Sequence, residues 1–164
     1  MRAVAREYDH PTPLLDATVE VNERQRKRVI SKLQGELHSL KGKRVALLGL
    51  SFKPNTDDLR GAPSVHIART LYALGAKVVG YDPVAAKKAA KLVPEMKVAF
   101  DPYEALEGAH AAVVVTEWEE IRTLDLGRAA SLMEGPKVLV DGRNALEPEA
   151  AGAADLLYRG FGRG

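Results

Sequence analysis

Val45-Ala-Leu-Leu-Gly-Leu50 runs directly into Ser51-Phe-Lys-Pro-Asn-Thr-Asp-Asp-Leu-Arg-Gly-Ala-Pro-Ser64, and these two pieces decide the fold. The first is an unbroken apolar run, as expected of a strand buried on both faces of a parallel sheet. The second is a long polar loop that ends in Pro63-Ser64, an expected helix N-cap. A second unbroken run, Ala111-Ala-Val-Val-Val-Thr116, has the same character. Further strand signals lie at Ala76–Tyr81, Lys97–Phe100 and Lys137–Asp141, with a weaker one at Leu157–Phe161. Helical stretches fall between them at Ser64–Leu74, Ala85–Leu92, Pro102–Glu107, Glu117–Ile121, Asp125–Met133 and Glu147–Ala154. Strand–helix alternation with short connections predicts an α/β, Rossmann-like, doubly wound parallel sheet.

Upstream, Leu15, Val19, Asn22, Arg26, Val29/Ile30, Leu33, Leu37 and Leu40 recur at steps of three and four. This predicts a long helix from Leu14 to Leu40, closed by Gly42. Asn22 and Arg26 interrupt its apolar stripe. Residues 1–13 read as a short helical piece ending in the break His10-Pro11-Thr12-Pro13. The expected division is therefore 1–42, a helical region, and 43–164, the sheet domain. No internal repeat or low-complexity segment is visible.

The 164 residues hold no cysteine, which excludes a disulfide framework, a Cys-ligated zinc and a thiol nucleophile within them. Hydrophobic residues make up 46% and charged ones 28%, a globular balance. Net charge is +2. The basic excess is local, with ten Lys/Arg against six Asp/Glu in residues 1–44. No apolar run approaches the roughly 20 residues that cross a membrane, and the N-terminus has no signal-peptide core. A cytoplasmic location is expected.

In a doubly wound sheet, ligands bind beyond the carboxyl ends of the strands. The loop after the first strand lacks the G-x-G-x-x-G pattern that seats a dinucleotide. It carries Lys53, suited to neutralising a phosphate, and Arg60, suited to gripping an oxyanion through two bonds. The alternative is that Asp57 and Asp58 pair with Lys53 and Arg60 and merely order the loop. Asp82, in Gly80-Tyr-Asp-Pro83, occupies the place of a ribose-binding acid but is better read as starting a turn with Pro83. Thr116 caps a helix or touches a ligand, and Trp118 belongs to the core. Arg143, in Asp141-Gly-Arg143, presents a guanidinium to the crevice, unless it pairs with Asp141.

His10, His38, His66 and His110 are scattered without metal-ligand spacing, and the Asp57-Asp58 pair is a weak cation signal. G-x-S-x-G, P-loop and H-E-x-x-H motifs are absent from the sequence. The basic stretch Arg24-Gln-Arg-Lys-Arg28 invites a nucleic-acid reading, but interspersed glutamates and the absence of aromatics favour a solvated face or an oligomer contact.

Phe52-Lys-Pro-Asn-Thr-Asp-Asp-Leu-Arg60 with Ala62-Pro-Ser64 resembles the signature loop of the UDP-glucose/GDP-mannose dehydrogenase family, in its C-terminal nucleotide-sugar-binding domain. Tyr81-Asp-Pro83, Asp101-Pro-Tyr103, Gly108-Ala-His110, Thr116-Glu-Trp118, Asp141-Gly-Arg143 and Tyr158-Arg-Gly-Phe-Gly162 follow in family order. Val21-Asn-Glu-Arg-Gln25 is similar to the helix joining the family's two halves. The resemblance implies oxidation of the C6 hydroxyl of a UDP-sugar, with NAD held mainly by an N-terminal domain and the intermediate carried on a cysteine. It implies that Phe52, Lys53 and Arg143 contact the nucleotide sugar, that Arg60 reaches toward NAD, and that the helix of residues 1–42 builds a homodimer. It implies no catalytic residue and no metal in this stretch, and no membrane or nucleic-acid partner. The family often carries Glu where Gly61 stands. On this resemblance the chain is expected to begin downstream of the cysteine loop and to be inactive alone. The alternative is a non-catalytic nucleotide-sugar-binding or regulatory module acting with a separate partner chain.

Overall fold

The computed structural model describes residues 11–162. The expected helical piece near the N-terminus lies largely in residues 1–10, outside the described residues. The chain runs α1 (Pro13–Leu37), β1 (Arg44–Leu48), α2 (Pro63–Ala73), β2 (Lys77–Tyr81), α3 (Ala86–Leu92), β3 (Lys97–Val98), α4 (Pro102–Leu106), β4 (Ala111–Val114), α5 (Glu119–Arg122), α6 (Leu126–Leu132), β5 (Val138–Asp141), α7 (Pro148–Ala153) and β6 (Leu157–Arg159).

The six strands form one parallel sheet in the order β3-β2-β1-β4-β5-β6. This is the doubly wound order, with its switch point between β1 and β4. Those two strands pair Val45 with Ala111 through Leu48 with Val114. Side chains alternate across the sheet, so two cores form. Val45, Leu47, Val113 and Val140 face Ile67, Ala68 and Leu71 of α2 and Val29, Ile30, Leu33 and Leu37 of α1. Ala46, Leu48, Val114 and Leu139 face α4, α5, α6 and α7.

Crossover handedness explains the place of α1. Crossovers from β1 to β3 put α2 and α3 on one face, while those after β3 put their helices on the other. The first face over β4 and β5 is left without a crossover helix, and the C-terminal half of α1 covers it. Its N-terminal half does not share that burial: Leu14 is 80% exposed and Val21 48%.

The expected helix ended at Leu40. In the structure it ends at Leu37, because His38 takes φ +57 while its N–H bonds the Gln34 carbonyl at 2.9 Å. Gly42 does not close the helix. It makes the turn into β1, with its N–H on the Gly75 carbonyl at 2.8 Å. The β1 and β4 runs were expected to stay in the sheet to Leu50 and Thr116. They leave it at Leu48 and Val114, and the residues released this way build the site.

Candidate functional site

Gly49 starts the construction. Its φ is +82, and a Cβ there would lie 2.5 Å from the Thr116 carbonyl oxygen. The chain beyond β1 therefore presses against the chain beyond β4. Ser51 accepts a hydrogen bond at its carbonyl from the Thr116 hydroxyl. Ser64 was expected to cap α2. Ala62 holds the cap position instead, and the buried Ser64 hydroxyl donates to the Leu50 carbonyl. Thr116 likewise binds the loop rather than capping a helix. Trp118 is core, as expected, but its indole N–H also serves this network.

Asp82 is the centre of that network and is only 3% exposed. One carboxylate oxygen accepts from the N–H groups of Leu50 (2.8 Å) and Ser51 (2.9 Å) and from the Trp118 indole (3.0 Å). The other accepts from Val84 (3.0 Å) and Ala85 (2.6 Å), the turn expected at Pro83. Burial opposes ionisation, yet the N–H groups of Ala85, Ser51, Leu50 and Val84 outweigh it and hold the carboxyl below its usual range. Its native value thus lies below the unfolded one, near ~4. The stabilisation is full above that value and is lost as pH falls through the native one. Asp82→Asn should therefore be less stable than the unaltered chain at neutral pH, with the gap narrowing in acid; urea melts at stepped pH measure this.

Beyond Ser51 the loop closes on itself. The Phe52 N–H bonds the Asp58 carbonyl at 2.8 Å, and Asn55 takes φ +60 at the tip. Asp58 receives the Arg60 backbone N–H (2.9 Å), Nε (3.0 Å) and Nη2 (2.8 Å). The Arg60 side chain and then its backbone N–H lower the Asp58 carboxyl to about 2. The alternative of loop-ordering pairs thus holds for Asp58 with Arg60, but Asp57 pairs with Lys88 rather than Lys53. Lys53 has no carboxylate partner among the described residues.

Arg143 arrives from β5. Asp141, fully buried, accepts the Arg143 N–H at 3.0 Å on one oxygen. Its other oxygen takes the Leu146 N–H (2.9 Å) and the Tyr158 hydroxyl (3.2 Å). Gly142 is required here, since a Cβ would meet the Val114 carbonyl oxygen at 2.7 Å. The Arg143 guanidinium does not pair with Asp141. It is held by Glu117 through Nη2 at 2.8 Å and through Nε. The Arg143 hydrogen bond, against burial, lowers the Glu117 carboxyl, and Glu117 raises Arg143 in turn.

These parts enclose a cleft of about 560 Å³ lined by Phe52, Lys53 and Arg143, with Gly61, Gly142 and Phe161 at its edges. Asn22, Gln25 and Arg26 of α1 form its far wall, and Arg26 Nη2 donates to the Gly61 carbonyl at 3.3 Å. The two residues that broke the apolar stripe of α1 thus face the cleft. That interruption was the available signal. Nothing in the sequence pointed to Glu117. Arg60 lies apart, in a second groove with Lys88 and Lys91.

Cations and an exposed aromatic around one cleft suit a multiply charged, ring-bearing anion. The crevice does not fit a dinucleotide of its own, because Asp82 already takes the N–H groups that would meet a phosphate. The basic stretch of α1 is not a single-sign face: Arg24 pairs with Glu20 at 3.3 Å, while Arg28 and Lys32 flank the Phe161 ring. His110 is structural, its Nδ1 accepting the Arg44 N–H at 3.3 Å. Among the described residues no three His, Asp or Glu gather to hold a metal, and no helix is long and apolar enough to cross a membrane.

A parallel doubly wound sheet with cations converging beyond its strand ends defines the class of α/β domains that bind anionic ligands at the switch point. Residues 46–148 match the UDP binding domain of the UDP-glucose/GDP-mannose dehydrogenase family, and the chain belongs to that family. It is 37% identical over 161 residues to the UDP-glucose 6-dehydrogenase TuaD of Bacillus subtilis, covering 98% of this chain and 35% of that protein. It is 39% identical over 163 residues to the UDP-glucose 6-dehydrogenase of Rhizobium meliloti, covering 97% and 36%. Among solved structures, a UDP-glucose dehydrogenase from Pyrobaculum islandicum superposes with a TM-score of 0.79 at 31% identity, over 96% of this chain and 34% of that one. The chain thus spans about a third of the length of these relatives.

Proposed function

We propose that this chain is the nucleotide-sugar-binding part of an NAD-dependent UDP-sugar 6-dehydrogenase of the UDP-glucose to UDP-glucuronate type. The observation that carries the reading is the meeting of Lys53 and Arg143, from the ends of β1 and β5, in one cleft of a UDP binding domain. In this reading residues 43–164 hold the ligand. Lys53 neutralises the diphosphate, Arg143, held by Glu117, donates to the sugar nucleotide, and Phe52 packs against a ring of the ligand. Arg60, facing away from the cleft, is left to meet NAD carried by another domain. NAD supplies the hydride acceptor. The residues of this chain bind and orient the sugar nucleotide.

The 164 residues contain no cysteine to carry an acyl intermediate. The isolated chain is therefore expected to bind UDP and UDP-glucose in a calorimeter but to form no NADH from UDP-glucose and NAD. Lys53→Ala should weaken UDP binding by about 1.5 kcal/mol, as for one charge-assisted contact. Undiminished binding by this variant, or NADH formation by the purified chain, would contradict the reading.

Residues 1–42 are proposed as the homodimer element, supported by Leu14, Leu15 and Val21 standing exposed on α1. Sedimentation should give a dimer, and Leu15→Glu with Val21→Glu a monomer. A cytoplasmic location is part of the same proposal.

A further inference from the structure

Asp82 and the loop after β1 stand at the two positions where doubly wound sheets meet a dinucleotide. In such sheets the backbone N–H groups beyond the first strand face the pyrophosphate, and an acid at the end of the second strand faces the ribose. Here those two positions bind each other. The N–H groups of Leu50 and Ser51 point at Asp82, at 2.8 and 2.9 Å. Trp118 adds a donor at 3.0 Å to the same oxygen, and Val84 and Ala85 fill the other oxygen. The carboxylate is buried and has only hydrogen-bond donors around it. This is the coordination of a bound anion, supplied from within the chain.

We propose that Asp82 acts as an internal anion in the phosphate position of the fold, and that by fixing Leu50 and Ser51 it positions Phe52 and Lys53 for a nucleoside diphosphate sugar. This rests on the nucleotide-sugar reading of the cleft. Asp82 touches no ligand and is a positioning residue. Phe52 is the next residue along from Ser51, so a shift of the Leu50–Ser51 backbone displaces the aromatic ring and the Lys53 ammonium together. The same arrangement converts a fold suited to dinucleotides into one that offers its cations to a different, single ligand further out.

Removing the carboxylate leaves a small cavity ringed by the unpaired N–H groups of Leu50, Ser51, Val84 and Ala85, with the Trp118 indole left to the Ser51 hydroxyl at 3.2 Å, and a free carboxylate of similar size can enter it. The experiment is therefore rescue of Asp82→Ala by formate, read two ways. Calorimetry follows UDP binding. Tryptophan emission follows the loop, because Trp118 is the only tryptophan in the chain and donates to Asp82 directly. Asp82→Ala should bind UDP roughly tenfold more weakly or worse, since misplaced contacts lose much of their binding energy. Excess formate should restore most of that loss and return the emission to that of the unaltered chain. Asp82→Asn, whose amide fills the cavity, should bind UDP weakly and ignore formate.

Unchanged UDP affinity in folded Asp82→Ala would overturn the proposal, as would a weakened variant that formate does not restore. If Asp82→Ala does not fold, Asp82→Asn and amide exchange in the unaltered chain decide. The Leu50 and Ser51 amides should be strongly protected, and exchange as fast as in the open loop tip would overturn the proposal. If the unaltered chain binds no UDP, the nucleotide-sugar reading falls. Formate-dependent Trp118 emission then still decides whether Asp82 holds the loop.

Discussion

Gly49→Ala is expected to cost about 3 kcal/mol or more of stability, the sum of left-handed backbone strain and a forced clash. The clash is with backbone rather than with a yielding side chain. A Cβ would lie 2.5 Å from the Thr116 carbonyl oxygen and 2.8 Å from its nitrogen, in the tightest part of the β1–β4 junction. Neither strand can retreat, since Leu48 and Val114 on either side are fully buried. Gly61→Ala supplies the control. It has φ +69 but open space around the added Cβ, so only the backbone strain of about 1 kcal/mol applies. Urea denaturation of both variants measures the difference. Equal losses at the two positions would show that the β1–β4 approach is not the constraint.

Arg143→Ala is expected to weaken UDP binding by about 3 kcal/mol, roughly a hundredfold, twice the effect proposed for Lys53→Ala. The excess comes from Glu117. In the intact site that carboxylate is neutralised by the guanidinium through Nη2 and Nε. Truncating Arg143 removes a cation and also leaves a partly buried anion beside the cleft without its partner, and an unpaired charge costs more than the pair was worth. Combining Arg143→Ala with Glu117→Gln should accordingly recover about tenfold in affinity, by removing that repulsion. Calorimetry on the single and double variants measures the coupling. Strict additivity would mean that Glu117 plays no part in setting the charge of the site.

The sheet was legible because residues 45–48 of β1 and all of β4 are buried, and burial on both faces writes itself as unbroken apolar runs. The short elements were legible through their punctuation: Asp101-Pro102 starts α4 and Asp125 caps α6, each carboxylate accepting backbone N–H groups of the first turn. Lys53 and Arg143 were expected at the crevice because each follows a buried apolar run, and the structure brings both to one cleft. Glu117 could not, since its role depends on the loops after β4 and β5 meeting beyond the sheet, and no sequence period encodes that meeting. Asp82 was half legible: its turn with Pro83 is local, but its bonds to Leu50 and Ser51 join residues more than thirty positions apart. Ser64 was misread for the same reason, because a hydroxyl beside a helix start reads as a cap until a distant carbonyl claims it.

The cleft wall made by α1 has a kinetic consequence. Residues from both ends of the described chain come together on this side of the sheet: Asn22, Arg26 and Phe161 line the one cleft, and nearer the C-terminal end of α1 Glu36 holds Arg159 at 2.8 Å across 123 positions. Such contacts carry the largest loop-closure cost in the molecule and form only after the intervening chain has been ordered. The sheet can therefore condense first and leave the cleft to be completed as the last step of folding. Local opening starts instead in the exposed N-terminal half of α1, around Leu14 and Val21, which loosens one wall of the cleft while Leu33 and Leu37 keep the rest of the helix on the sheet.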